Sequence, residues 1–170
     1  ATSYIPTSGA IATRLADSVT GAGDATTFNS TEGVLYAEMA ALGDTGVFEV
    51  VSLSDGGLSE VVGFVYRNTT NGFTAVVKSG GVSSLSKTIT LTDATDFIKV
   101  AISYKLNEFK FFINGTLEFT STSGNTPIGL NTLQLSDGDG VSNKFEGKVK
   151  DLAVFNEALT DSELECLTKI

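Results

Sequence analysis

A chain of 170 residues with 41% hydrophobic residues can bury a core without disulfides or metals, and is too apolar to be a disordered tail. Its 11 basic and 20 acidic residues leave a formal charge of −9, which repels phosphate backbones and anionic membrane surfaces and excludes nucleic acid as an expected partner. The lone cysteine rules out an intrachain disulfide, the lack of histidine rules out His-based triads and His-ligated zinc, and no apolar run approaches the roughly 18 residues of a membrane helix.

In chain order, residues 1–23 are turn-rich, with Pro6, Gly9, Gly21 and Gly23, and read as a lead-in that holds at most a short strand over Ala10 to Leu15. The opening has no initiator Met, basic start or apolar core, as expected of an excised piece or a processed secreted protein. Strands are then expected over Gly33 to Leu42, with Glu38 outward, Val47 to Leu53 and Glu60 to Tyr66. The cluster Asn68-Thr69-Thr70-Asn71-Gly72 turns the chain, and Phe73 to Lys78 returns as the hairpin partner. Ser86 to Leu91 and Phe97 to Tyr104 follow. Glu108 to Ile113 then runs through Asn114-Gly115 into Thr116 to Thr120. Asn-Gly between two β-prone runs predicts a type I′ turn, which needs φ > 0 at both positions. Leu130 to Leu135 and Phe145 to Phe155 complete the strands. Thr160 and Glu163 form a capping box ahead of Leu164 and Leu167, which predicts one helix of about two turns. Cys166 lies in that helix, where a small buried hydrophobe is the expected role and a reactive thiol the alternative.

Strands recurring every ~8–12 residues without a βαβ rhythm predict a single all-β domain over 1–170, an antiparallel sandwich or barrel with one short helix near the C-terminus, with the two-sheet antiparallel sandwich as the expectation. Its core is expected to include Val50, Phe64, Val100, Ile102, Phe111, Ile113, Val149, Leu152 and Val154.

Two segments carry a family resemblance. One is the hairpin from Ser103 to Gly115, with an aromatic-rich strand entering Asn114-Gly115. The other runs from Phe145 to Leu164: a Gly, an apolar-x-Asp strand, Phe155-Asn156, then Ala158-Leu159-Thr160 and a Glu-bearing helix. Together they resemble the laminin-G-like branch of the concanavalin A-like jelly rolls. That resemblance implies a jelly-roll topology and glycan or protein binding, often with a structural calcium ion. The opening Ala1 to Thr7, followed by Thr13 to Asp17, resembles a segment that precedes such jelly rolls in bacteriophage tail and other virion-associated proteins.

Several residue groups are candidates for chemistry. Asp137 and Asp139, in the loop Asp137-Gly138-Asp139-Gly140-Val141-Ser142-Asn143, place hard oxygen ligands along a flexible chain, as calcium prefers. The loop departs from the EF-hand pattern at Val141 and lacks the distal Glu, so a solvated turn explains it as well; Asp17 or Asp151 would be the other places for an ion. Tyr66, Arg67, Asn68, Asn71 and Phe73 bracket one hairpin and offer an aromatic face with amide and charged groups, the set a sugar site needs, although a plain turn uses the same residues. No segment carries the paired carboxylates of the family's glucanases, and Asp161, Glu163 and Glu165 suit capping and solvation. The acidity itself fits cation steering, and fits plain solubility better. These readings converge on a non-catalytic recognition module that contacts a glycan or cell-surface ligand from a virion or bacterial surface protein, on the virion or outside the cell. The alternative is an assembly domain that packs against copies of itself or neighbouring virion proteins. A glycan-active enzyme ranks third.

Overall fold

A computed structural model of the chain describes residues 23–44 and 46–170. The expected strand from Ala10 to Leu15, the matched opening segment and Asp17 lie outside the described residues. The elements in chain order are β1 (Glu32–Ala41), β2 (Glu49–Ser54), β3 (Val61–Tyr66), β4 (Gly72–Ser79), β5 (Val82–Thr90), β6 (Ile98–Lys105), β7 (Glu108–Ile113), β8 (Thr116–Ser121), β9 (Thr132–Gln134), β10 (Gly147–Phe155) and α1 (Asp161–Thr168). They build two five-stranded sheets, β10-β1-β6-β7-β8 and β5-β4-β3-β2-β9, with every neighbouring pair antiparallel. This is the jelly-roll sandwich expected from the strand rhythm together with the family resemblance.

Side chains alternate along a strand, and that period decides what each residue touches. In β1, Leu35, Ala37, Met39 and Ala41 enter the core between the sheets, while Val34 and Tyr36 point the other way into a second cluster with Ala101, Phe112 and Leu164. Both faces of β1 are therefore covered, which is why it reads as a nearly unbroken apolar run. In β7, Phe109, Phe111 and Ile113 enter the core and Phe112 the second cluster. Rings knit the middle of the sandwich: Phe73 stacks on Phe64 at 6.0 Å and on Phe111 at 6.2 Å between centroids.

The helix α1 seals the outer face of the β1–β6–β7 region. Thr160 caps it, accepting from the Glu163 amide, while the Glu163 carboxylate accepts from the Thr160 amide at 2.8 Å and its hydroxyl at 2.6 Å. Leu164 is fully buried, with Leu159 and Leu167 packed beside it. At the far end, Thr168 accepts from the Gly115 amide at 3.1 Å, which ties α1 to the β7–β8 turn. That turn has φ 50° at Asn114 and 78° at Gly115, as the Asn-Gly pair requires.

Three expectations need correction. Val149 is 40% exposed, because it lies on strand β10, at the edge of its sheet, beside an irregularity in the β1–β10 register. Val50 is buried, but Val51 and Leu53 take the core side of β2, so Val50 faces outward. Cys166 is exposed rather than buried, since Leu164 and Leu167 occupy the inward stripe of α1. Leu152 and Val154 pack half-buried against the core.

Candidate functional site

The five hairpin residues grouped from the sequence do not form one surface. Tyr66 and Phe73 are buried, with 4% and 0% of their surface exposed. Tyr66 meets Phe73 edge-on at 5.1 Å and stacks on Phe145 at 6.0 Å, so neither ring offers a face to a sugar. The cause is the strand period: Phe64, Tyr66, Phe73 and Ala75 are all on the inward side of β3 and β4. Burial pushes the Tyr66 phenol far above its ordinary value. Asn71 is a turn staple. It sits at φ 53°, its amide nitrogen donates to Thr92 O, its amide oxygen accepts from the Ala94 N–H, and its own N–H donates to Asp44. Asn68 is exposed at the turn tip. Tyr66, Arg67 and Asn71 share a small recess of about 10 Å³ with Asp44 and Glu49, and of the five Arg67 also lines a larger concave surface.

That surface is a groove of about 240 Å³ on the outer face of the β5-β4-β3-β2-β9 sheet. Its floor follows from the same alternation. With Val62, Phe64 and Val77 committed to the core, Val61, Val65 and Val76 must face out. Arg67 stands at one end and Lys78 at the other. Along β4, Thr74 beside Arg67 and Lys78 are four residues apart, roughly 13 Å at ~3.3 Å per residue. Neither cation has a carboxylate partner among the described residues. The described ion pairs all use other lysines: Lys87, Lys105, Lys110 and Lys150. Arg67 is nonetheless held. Its Nη1 donates to Thr74 Oγ1 at 3.3 Å, and its guanidinium carbon lies 5.4 Å from the centre of the Phe48 ring. Thr74 Oγ1 in turn lies 2.8 Å from Thr88 Oγ1 across the β4–β5 pair.

The acidic loop forms the groove's wall. It lies over the outward side chains of β2: Ser52 donates to Ser136 O at 2.7 Å and Ser54 to Gly138 O at 3.0 Å. Gly138 passes so close to the Gly57 carbonyl that any side chain there would collide with it. Asp137 and Gly138 line the groove. The carboxylates are engaged within the loop itself. Asp139 accepts from the Val141 and Ser142 amides at 2.9 and 3.0 Å and from the Ser142 hydroxyl at 3.1 Å, and those donors, the Ser142 amide foremost, hold its carboxyl below the usual range. Asp137 accepts from the Asn143 amide at 2.5 Å. Calcium takes 6–8 oxygen ligands, and no group of three or more Asp, Glu, His or Cys side chains among the described residues is placed to hold a metal. As folded, this donor set does not fit the ion.

The sequence reading missed the valine floor, Lys78, and the Phe48–Thr74–Thr88 surroundings of Arg67. One signal was available. Glu60 to Tyr66 and Phe73 to Lys78 carry apolar residues at both phases of the strand period, more than one core face requires.

The sequence pattern of the concanavalin A-like lectin/glucanases superfamily, Laminin_G_3, matches residues 20–165. No curated protein sequence matches the chain. Among solved structures, the chain is similar to the CBM40 of the Ruminococcus gnavus IT-sialidase bound to α2,3-sialyllactose: 18% identity, a TM-score of 0.69, and coverage of 88% of this chain and 93% of that one. Domain 4 of AbnA, a GH43 extracellular arabinanase from Geobacillus stearothermophilus solved with arabinotriose, gives 15% identity, a TM-score of 0.64, and coverage of 86% and 70%. The NanB sialidase of Streptococcus pneumoniae gives 14% and 0.67, with 90% of this chain matching 27% of that one. These likenesses show a shared fold.

Proposed function

The chain belongs to the concanavalin A-like lectin/glucanase superfamily, and from that premise we propose that it is a non-catalytic glycan-binding module whose site is the groove between Arg67 and Lys78. The observation that carries this reading is a pair of cations without carboxylate partners among the described residues, beside an apolar floor, on a chain of net charge −9. Arg67 matches a carboxylate with its planar fork of donors, Lys78 adds a second positive point, and the valines receive an apolar sugar face or substituent. The ligand class is therefore an acidic glycan, in line with the sialyllactose complex of the CBM40 and unlike the neutral arabinotriose. The groove lies just below the ~300–1,000 Å³ of drug-sized sites, which suits a terminal sugar unit. A non-catalytic role is supported by the carboxylates present. Asp137 is the acidic group lining the groove, whereas glycoside hydrolysis uses two. Such a module works on a cell surface, outside the cell or on a virion, as part of a larger surface protein. The test is calorimetric titration with 3′-sialyllactose, lactose and arabinotriose. Binding of sialyllactose alone supports the proposal. Binding of arabinotriose alone removes the acidic class, and binding of none removes the glycan.

One observation favours a second reading, an assembly contact. Leu58, Val82, Leu106 and Ile128, each at least 50% exposed, sit at the same end of the sandwich. The Glu60 carboxylate accepts from the amides of Gly80 and Ile128, and Asn107 and Gly124 exchange hydrogen bonds, which ties these connections together. Sedimentation as a concentration-independent monomer would count against self-assembly.

A further inference from the structure

We propose that Thr74 and Thr88 are positioning residues for the groove, acting through Arg67 rather than by touching the ligand. The inference rests on the glycan-binding reading of the groove and adds how its main cation is aimed.

Thr74 borders the groove beside Arg67 but is only 5% exposed, so its hydroxyl must find partners inside the protein. It has two: Arg67 Nη1 at 3.3 Å and Thr88 Oγ1 at 2.8 Å. A hydroxyl carries one hydrogen and two lone pairs. With Arg67 donating into one lone pair, the bond to Thr88, in which either hydroxyl can donate, holds the Thr74 oxygen where it accepts from the guanidinium. Thr74 and Thr88 are directly opposed in the β4–β5 register, so the backbone sets their spacing. Phe48 flanks the guanidinium at 5.4 Å. Arg67 is thus held by a hydroxyl and a ring, neither of which neutralises it, and among the described residues its remaining guanidinium N–H groups have no acceptor, which leaves them for an incoming carboxylate. A carboxylate partner would have fixed the side chain equally well and cancelled its charge. Fixing a long side chain before binding avoids ordering it during binding.

The experiment measures 3′-sialyllactose affinity and melting temperature for the wild type, Thr74→Val, Thr88→Val, Thr74→Ser and Arg67→Ala, and for each valine variant combined with Arg67→Ala. The expected result is affinity about three- to tenfold weaker for each valine variant, near-wild-type melting for Thr88→Val at its exposed edge position, and near-wild-type affinity for Thr74→Ser, which keeps the hydroxyl. In the Arg67→Ala background, the valine substitutions should have no further effect. If Arg67→Ala loses binding while both valine variants bind like the wild type, the positioning role is overturned and the groove stands. If a valine substitution costs as much without Arg67 as with it, that threonine touches the ligand directly and the inference is overturned. If Arg67→Ala binds like the wild type, the reading of the groove falls and this inference falls with it. Should Thr74→Val fail to fold, Thr88→Val carries the test alone.

Discussion

The outer faces of the two sheets solve the same problem in opposite ways. On the β10-β1-β6-β7-β8 sheet, Val34, Tyr36, Ala101 and Phe112 are capped by α1, and three lysines have carboxylate partners: Lys105 with Glu32 at 3.3 Å, Lys110 with Asp161 at 2.6 Å and Glu108 at 2.8 Å, Lys150 with Glu38 at 2.9 Å. On the β5-β4-β3-β2-β9 sheet, Val61, Val65 and Val76 line an open groove, and Arg67 and Lys78 have no such partners among the described residues. An apolar surface left uncovered beside unneutralised charge contributes little to folding and is suited to recognition. On the proposed reading the first face serves stability and the second binding, and substitutions on each should separate those two readouts.

The largest effect belongs to the sealed face. Leu164 is fully buried on the inward side of α1, so Leu164→Ala should cost about 2–5 kcal/mol of unfolding free energy, in the range of core truncations. Val76→Thr, on the open groove floor, should stay within about 0.5–1 kcal/mol. Urea unfolding of the two variants checks this. Equal losses would mean that the groove floor is part of the folding core and would dissolve the contrast.

Charge removal should show the reverse order for binding. Arg67→Ala should weaken 3′-sialyllactose at least tenfold, which corresponds to about 1.4 kcal/mol, and leave the melting temperature near the wild-type value. Lys105→Ala removes a cation of an exposed pair, 53% and 34% accessible, worth about 0–1 kcal/mol, and should not alter binding. A Lys105 variant that loses binding while Arg67→Ala retains it would place the site on the wrong sheet.

The two faces also differ in how legible they were in the sequence. The sealed face was legible at its turn, its cap and its helix, although its outer cluster of Val34, Tyr36, Ala101 and Phe112 was not foreseen and Cys166 proved exposed. The capping box at Thr160 and Glu163, the Asn114-Gly115 turn and the apolar phases of β6 and β7 are local signals, and local signals survive without a structure. The groove is not local. It joins β2, β3, β4 and β5 with a loop more than 50 residues further on, and its aromatic candidates, Tyr66 and Phe73, belong to the core because of their strand phase. Residue type alone pointed to them; phase relative to Phe64 and Ala75 would have excluded them and pointed to Val65, Thr74 and Val76 instead. Val149 failed for a different reason: strand content does not reveal which strand lies at an edge.

A smaller effect comes from the cap that anchors the sealed face. Thr160→Ala should cost about 1 kcal/mol, the usual worth of an N-cap. The Thr160 hydroxyl, and then its amide, hold the Glu163 carboxyl below its ordinary value of 4.5. The folded state therefore binds that proton less readily than the unfolded state. The stabilisation is complete at pH values above the ordinary value and is lost as pH falls through the lowered folded one. Glu163→Gln should flatten this part of the acid limb in a pH series of thermal melts. An unchanged acid limb would mean that the cap is not coupled to the seal.

The smallest expected effect concerns calcium. An ion that binds only the folded state adds stability of about 2.7 kcal/mol at a hundredfold excess over Kd, and at this chain length that raises the melting temperature by roughly 5 °C or more. The loop as folded offers little to such an ion, because Asp139 is already engaged by the Val141 and Ser142 amides and Asp137 by Asn143. Backbone N–H groups aimed at a carboxylate satisfy its charge as a cation would, so calcium has to displace donors the loop already supplies. Melts in excess calcium and in chelator should therefore agree to within about 1 °C, well inside the shift expected of a bound ion. Asp139→Asn should lower the melting temperature equally in both, since it weakens the loop that walls the groove. A calcium-dependent rise that Asp139→Asn abolishes would reverse this result. It would show that the loop re-forms around the ion and that the open face, like the sealed one, has a fastening of its own.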